Sequence, residues 1–349
     1  MERMKAMNEH LDARISAGQL AVTLTVSRLS MILFLPSLTG TFTAREYLLA
    51  GMASFLLCAP FFWAAHHGHG KPPALYAAFA SLYLLFCAAA SISWLYTYLL
   101  SVTDNPVSAF VFGTLMISSA IYALYCGPEA IARISLVILA IFIAASILSA
   151  LSGAQKMSAS HLSTAQTVLA PQVTMTAAVN AFAHPETALF LLLRGNVADE
   201  EKLGKSAARY CLWSTIAQCT FFFLLELLFS NAIFAREYPA SLLLGNALCA
   251  ALFIALTSVR LYAFCTGATI GLKKWFGKRS AIYLVFTATA ILSALLMHFR
   301  RNTSIVLQLM LILGAALYLL TTIFLLGGKK DEPVRKKGNS DAAHGLDGN

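Results

Sequence analysis

Charged residues are scarce in this 349-residue sequence, in which Asp, Glu, Lys and Arg together make up 12%. Soluble domains carry about 25% of these residues. The longest polar stretch is the final tail of about 21 residues, so no separate soluble domain fits beside the apolar part of the chain. A water-soluble globule, a disordered chain and a fibrous repeat are therefore excluded.

Motifs for nucleotide binding and hydrolysis are also lacking. The sequence contains no Walker loop, no HExxH, no GxSxG and no GxGxxG at a strand-to-helix turn. Its seven cysteines lie mostly inside apolar runs and form no CxxC pair. Such cysteines are typical of small buried side chains rather than of a metal or redox site. We therefore expect no enzymatic activity, no cofactor and no bound metal.

Apolar residues, in contrast, are abundant: 58% of the sequence, or about 202 positions. Ten membrane helices of roughly 20 residues each require about 200 apolar positions. We therefore predict an all-α polytopic membrane protein with about ten transmembrane helices. The apolar runs lie near residues 17–39, 47–66, 74–100, 107–124, 130–151, 171–193, 209–233, 240–265, 280–299 and 303–327.

The distribution of basic residues predicts the orientation in the bilayer. When the loops are assigned alternately from a cytoplasmic N-terminus, 18 of the 25 Lys and Arg residues lie inside, five lie outside and two fall within spans. This bias predicts that both termini are cytoplasmic, and it attributes the net charge of +9 to membrane topology rather than to a nucleic-acid partner. The predicted parts are a cytoplasmic segment at 1–16, a transmembrane domain at 17–327 and a disordered basic cytoplasmic tail at 328–349.

The first span contains polar residues near the depth of the bilayer centre. In VTLTVSRLSMILFLP these residues are Ser27, Arg28 and Ser30. An ionisable group at that depth costs roughly 2.5 to 3.5 kcal/mol on insertion scales. We therefore expect an interruption of the first helix that lines a protein cavity.

The sixth span has a second interruption. In VNAFAHPETALFLLL, His184, Pro185 and Glu186 lie at mid-depth, with Asn180 one turn earlier. Proline removes a backbone donor and clashes with the carbonyl four residues back, and lipid cannot satisfy the groups that it frees. A break at this point is therefore expected only where the helix lines a cavity.

Interruptions at matching positions of two five-helix halves are typical of inverted-repeat transporters, which bind solutes near the membrane midplane. The halves here are about 17–151 and 171–327. The predicted site lies between the first, third, sixth and eighth spans, because the third and eighth also carry polar and aromatic side chains. Its predicted ligand-binding residues are Ser27, Arg28, Ser30, Trp94, Asn180, His184, Glu186, Ser258 and Arg260.

The sequence leaves two interpretations open for each of two charged residues, Arg28 and Glu226. Arg28 is either a ligand contact or a buried counter-charge that pairs with Glu186 or Glu226. Glu226, in the apolar stretch FFFLLELLF, is either a proton-bearing acid or the partner of Arg260 in a salt bridge.

Several short strings resemble one known family. YCGPEAIAR supplies Tyr125, Gly127, Glu129 and Arg133; ISAGQL precedes the first span; PETALFLLL forms the sixth; and a Tyr-Pro pair at 238–239 opens the eighth. Over roughly residues 15–327 the chain resembles the spore germination permeases, the B subunits of endospore germinant receptors. It departs from them in having no glycine at the centre of the first span, and in having Val259-Arg260 where an acid-arginine pair is usual.

The resemblance implies membership of the amino acid/polyamine/organocation transporter superfamily, with a five-plus-five inverted repeat. It also implies that the protein senses a small germinant such as an amino acid in the inner spore membrane, beside an A subunit and a lipoprotein C subunit. The alternatives are a proton-coupled secondary amino acid transporter, working through Glu186 or Glu226, and a scaffold that binds no solute.

Glu129 and Arg133 are also interpretable without the resemblance. They are four residues apart, so they can pair on one helix face at the cytoplasmic side. We expect this pair to form a gate or latch, and we assign a gating or structural role to Gly127, Glu129, Arg133, Pro185 and Glu226.

Overall fold

The computed structural model describes residues 14–39, 43–68, 70–103, 105–162, 170–230, 238–298 and 303–327. These residues are almost entirely helical, and a β-bridge among them joins Ile15 to Val197. The predicted tail at 328–349 and most of the predicted segment at 1–16 lie outside the described residues. The α-helices of the described part are α1 (Ala17–Thr39), α2 (Ala44–Leu57), α3 (Ala59–His67), α4 (Ala74–Thr103), α5 (Pro106–Gly153), α6 (Ala170–Phe182), α7 (Pro185–Leu193), α8 (Leu203–Phe229), α9 (Ala240–Leu244), α10 (Asn246–Phe276), α11 (Lys278–His298) and α12 (Thr303–Leu326).

Seven helical stretches of the described chain are long and apolar enough to cross a membrane. They comprise α2 with α3, then α4, most of α5, α8, α10, α11 and α12. The ten predicted spans differ from these seven in three ways. They add α1, they add the pair α6 and α7, and they count α5 as two helices.

Gly127 divides α5 into two helical parts. Its φ of 82° and ψ of 176° are non-helical, in a region of backbone space that is essentially restricted to glycine. Pro128 follows it and disfavours the helical conformation of the preceding residue. The predicted fourth and fifth spans therefore meet at a sharp kink instead of a loop.

The first span is one continuous helix, so the interruption predicted there is wrong. α1 runs without a break over 23 residues. Between residues 19 and 35 the sequence has neither proline nor glycine. Thr23 and Thr25 each donate a hydrogen bond to the carbonyl four residues earlier, which satisfies their hydroxyls within the helix.

The interruption predicted in the sixth span is present. α6 ends at Phe182, Ala183 and His184 are not helical, and α7 begins at Pro185. Proline is well suited to the first helical position, where a backbone N–H has no intrahelical partner. The break leaves Glu186 in the first turn of α7.

The eighth span is interrupted at its start and is longer than predicted. Pro239 precedes the short helix α9, and Gly245, with φ 76°, separates α9 from α10. α10 continues to Phe276, beyond the predicted end near residue 265.

α4 and α10 form the centre of the bundle. They pack against each other, and α4 also packs on α11 while α10 also packs on α1, α5 and α7. In the most apolar part of α4, 72% of the residues are buried, against 17% in the most apolar part of residues 110–156. The outward face of α5 exposes large apolar side chains such as Val137, Ile141 and Ile147, as expected of a surface that contacts lipid.

The start of α1 is fixed to the segment between α7 and α8. Ser16 and Gln19 form a reciprocal capping box at the N-terminus of α1. The backbone N–H of Ala17 donates to the Asp199 carboxylate at 2.8 Å, and the bridge between Ile15 and Val197 runs alongside. Movement of the N-terminal end of α1 is therefore coupled to movement of the C-terminal end of α7.

Replacement of Gly127 by alanine should lower the free energy of unfolding by about 1–3 kcal/mol, because a Cβ is strained at this φ and ψ. The measurement is the melting temperature of the purified protein in detergent. Gly195→Ala is the matched control, since a Cβ added at Gly195 would meet no atom within 4 Å and the φ of this residue is not positive. Equal melting temperatures for the two variants would contradict the strained kink.

Asp199 should make the fold sensitive to acid. The backbone N–H of Ala17 lowers the pKa of this carboxyl below its ordinary value of 3.8. The ionised Asp199 carboxylate therefore stabilises the folded state fully above its ordinary pKa of 3.8, and this stabilisation is lost as the pH falls through the folded-state pKa. The melting temperature of Asp199→Asn should be lower than that of the wild type at neutral pH, and the difference should shrink on acidification. Glu201→Gln, at an exposed position, is the control; a constant difference at all pH values would argue against this role.

Candidate functional site

Glu186 is the centre of a buried polar cluster. Its side chain is fully buried, and one carboxylate oxygen, Oε1, accepts hydrogen bonds from Ser27 Oγ at 2.8 Å and from Arg260 Nη1 at 2.7 Å. The proline-initiated start of α7 places this acid against α1 and α10. An ion pair in a low-dielectric interior requires such additional hydrogen bonds to offset desolvation.

Arg260 extends the cluster to α4. Its Nε donates to Ser91 Oγ at 3.0 Å, its Nη1 also donates to the Ser27 carbonyl at 3.0 Å, and its guanidinium lies over the Phe264 ring, 4.7 Å from the centroid. Ser27, Ser91, Glu186 and Arg260 are called the central cluster below. It joins α1, α4, α7 and α10, the four helices between which the sequence predicts a binding site.

His184 borders the central cluster at the break before α7. Its Nδ1 hydrogen-bonds the Tyr210 hydroxyl at 2.6 Å and lies 3.6 Å from Glu186 Oε2. The side chain is buried. His184 therefore connects the cluster to α8, which the sequence did not include in the site.

Arg28 lies on another face of α1. Its Nη2 donates to the Asn180 backbone carbonyl at 3.2 Å and to Asn180 Oδ1 at 2.8 Å. Among the described residues no carboxylate lies within 4.0 Å of it. The pairing of Arg28 with Glu186 or Glu226 is therefore wrong, because Arg260 occupies Glu186.

Glu226 forms no ion pair with Arg28 or Arg260. Its carboxylate accepts a hydrogen bond from the backbone N–H of Ala44 at the start of α2, where an acidic group stabilises the positive end of a helix. The predicted salt bridge between Glu226 and Arg260 is therefore wrong.

Two of the predicted serine ligands bond to carbonyls of their own helices. Ser30 donates to the Ser27 carbonyl at 2.8 Å. Ser258 donates to the Ile254 carbonyl and is half-buried; two residues before Arg260, it points about 200° away around the helix. Their roles as ligand contacts stay predictions.

Trp94, the remaining predicted ligand residue, is buried on α4. It follows Ser91 by three residues, so it lies about one turn beyond the central cluster on a similar face of the helix. Its role as a ligand contact also stays a prediction.

Glu129 and Arg133 form the expected pair at the surface. Arg133 Nη2 donates to Glu129 Oε1 at 2.6 Å, and 72% of the Arg133 side chain is exposed. An exposed pair of this spacing contributes only about 0.3–0.5 kcal/mol. Gly127 lies at the kink in α5 and Pro185 is the first residue of α7; the gating role of the Glu129–Arg133 pair stays a prediction.

A stripe of polar residues on α8 was missed by sequence reasoning. Tyr210, Ser214 and Gln218 are spaced four apart, so they share one helix face, and all three are buried. The spacing was visible in the sequence as a polar line along an otherwise apolar helix.

Arg194 was also missed, since the sequence suggested only a cytoplasmic charge. The structure buries it between two loop carbonyls: its Nη2 and Nη1 donate to Gly68 and Gly70 at 2.9 and 3.2 Å. It therefore fastens the loop after α3 to the end of α7.

Two cavities differ in character. One of about 10 Å³ lies between Arg28, Asn180, His184, Tyr210 and Gln218. A larger one of about 930 Å³, bounded by α1, α5 and α8, is lined mostly by apolar side chains. Of these two, the small cavity has the density of polar groups that orients a polar ligand.

No protein-family description and no curated protein matches the sequence. Among solved structures, the chain is similar to Mhp1, a nucleobase-cation-symport-1 family transporter, in a closed conformation with bromovinylhydantoin bound. The TM-score is 0.57 at 12% sequence identity, over 90% of this chain and 78% of that one. The chain therefore has a fold similar to that of a membrane transporter, and with its seven apolar helical stretches it is an integral membrane protein.

The ion pair in the central cluster should show strong energetic coupling. Loss of one partner from a buried pair costs about 3–5 kcal/mol because the other charge stays buried, whereas loss of both costs less than the sum. We expect Glu186→Gln and Arg260→Met each to lower the melting temperature in detergent strongly. The double variant should be at least as stable as the less stable of the two single variants. Thr114→Ala, at an exposed position on α5, is the control. Additive losses would contradict the pairing.

Proposed function

We propose that this chain is a membrane protein that binds a small solute at the central cluster and converts binding into a rearrangement of its helices. The observation that carries the proposal is the buried bond between Glu186 and Arg260, which connects the broken pair α6 and α7 to α10. A solute that competes for either group changes the contacts between these elements.

The unused hydrogen-bonding atoms of this pair favour an amino acid as the solute. Arg260 Nη2 and Glu186 Oε2 are both buried and make no hydrogen bond within the described chain. A guanidinium donor suits a carboxylate, and a carboxylate oxygen suits an ammonium group. A zwitterion supplies both groups, so it satisfies the two charges without leaving either one unpaired.

The fold supports a mechanism based on moving helices. We propose ten membrane crossings arranged as two five-helix repeats with both termini cytoplasmic. Support comes from the kink at Gly127, the break at Ala183 and His184, and the similarity in fold to a transporter. The coupling of Asp199 to the start of α1 allows the cytoplasmic ends of α1 and α7 to move together. The chemistry at the site is reversible binding, not catalysis.

Within this function, we propose that the chain is the membrane subunit of a spore germinant receptor. The supporting residues are Gly127, Glu129 and Arg133, which form a kink and an ion pair in the stretch that resembles the germination permeases. In this role the partners are an A subunit and a lipoprotein C subunit, and binding biases the bundle toward the arrangement that they recognise.

A proton-coupled secondary transporter of amino acids is the second candidate. It is favoured by the fold shared with Mhp1, a transporter solved with a small ligand bound. In this role Glu186, with a buried carboxylate beside His184, is the proton-coupling group.

Solute binding is tested by isothermal titration of the purified protein with each of the twenty proteinogenic amino acids. At least one should bind saturably, and Glu186→Gln should weaken it at least tenfold, which corresponds to about 1.4 kcal/mol. Glu200→Gln, at an exposed loop position, should leave the affinity unchanged. Absence of binding by every amino acid would favour the scaffold alternative.

If binding is found, uptake into proteoliposomes driven by a pH gradient identifies the transporter, and binding without uptake identifies the receptor.

A further inference from the structure

The small cavity beside Arg28 is separate from the central cluster. It lies on the face of α1 about 100° around from Ser27, between α1, α2, α6 and α8. Its volume of about 10 Å³ is close to what one water-sized particle occupies. The cavity is therefore too small for an amino acid in this conformation.

Three unpaired hydrogen-bond donors belong to the residues that line this cavity. Arg28 Nη1, Asn180 Nδ2 and Gln218 Nε2 are buried and have no hydrogen-bond partner in the described chain. The orientation of the Asn180 amide is fixed because its Oδ1 accepts from Arg28, which leaves the amide nitrogen as a donor. Three residues with an unpaired donor line one small space, and such a set suits an acceptor that takes several hydrogen bonds at once.

The charge of the cavity has no internal balance. No Asp or Glu is among its lining residues, and the nearest buried acid of the described site, Glu186, is paired with Arg260. The hydroxyl of Ser214, another lining residue, already donates to the Cys211 carbonyl. A buried guanidinium without a counter-charge is strongly unfavourable. A single water molecule in this space would accept some of these hydrogen bonds but would leave the charge without a counter-ion.

We propose that this cavity binds one small monovalent inorganic anion of the size of chloride, held by Arg28, Asn180 and Gln218. The anion neutralises the positive charge on α1 and connects α1 to α6 and α8. The break that positions Glu186 directly follows α6. Occupancy by the anion therefore stabilises the position of α6, on which the central cluster depends. Anion binding in this cavity does not depend on which solute binds at the central cluster.

The test compares sodium chloride with sodium gluconate at constant ionic strength, using the protein purified in detergent. Chloride should raise the melting temperature saturably, since a ligand that binds only the folded state stabilises it by RT ln(1 + [L]/Kd). Radiolabelled chloride should bind with a stoichiometry of one per chain. No chloride-dependent stabilisation and no saturable binding by the wild type would overturn the proposal.

Gln218→Leu is the principal variant, because it removes the amide donor and places an apolar side chain of similar size at this position of α8. It should raise the chloride concentration at half-effect at least tenfold, and Arg28→Met should abolish the response. If Arg28→Met does not fold, Gln218→Leu still decides the question. Arg45→Met is the matched control at an exposed position and should respond as the wild type does. An unchanged midpoint in Gln218→Leu would overturn the site, as would stabilisation by acetate but not by chloride, which would assign the donors to a solute carboxylate.

Discussion

The structure depends on the cost of placing two arginines in a membrane-embedded interior. Arg28 and Arg260 are among the largest fully buried side chains of the described chain, and hydrogen bonds and a counter-charge are needed to offset the cost of burying such groups. Glu186 meets this need for Arg260, and it reaches Arg260 because Pro185 begins a new helix at the right place. The ion pair depends on three features. The break before α7 positions the acid, Ser27 and Ser91 donate to it or accept from it, and the central packing of α10 brings Arg260 to it.

The two faces of α1 serve different purposes. Ser27 faces the acid on α7 and contributes both its hydroxyl and its carbonyl to the central cluster. Arg28, the next residue, faces α6 and α8 and binds the last part of α6 through Asn180. A change on either face therefore affects the same break at His184, which contacts Tyr210 on one side and Glu186 on the other.

Much of the architecture was predictable because it follows from local rules. Pro185 and Gly127 disrupt helices for reasons of backbone geometry, so the breaks near them could be located from the sequence. The lack of proline and glycine between residues 19 and 35 gave a local reason for a continuous α1. The partners that satisfy Ser27 could not be predicted, because they come from α7 and α10. The same applies to Arg28 and Arg260: the sequence showed two charges inside the bundle, but the pair that forms, Arg260 with Glu186, was not among the pairings predicted from it. The polar stripe on α8 was visible in the sequence but had no apparent meaning until α8 was found beside α1.

In the proposed function, Glu186 and Arg260 hold the solute site together and bind the solute directly. The most direct measurement is an experimental structure of the protein with a bound amino acid, determined in a lipid nanodisc. We expect solute density within hydrogen-bond distance of Arg260 Nη2 and Glu186 Oε2. Density for the solute elsewhere, with the two side chains still bonded to each other and unchanged, would contradict it.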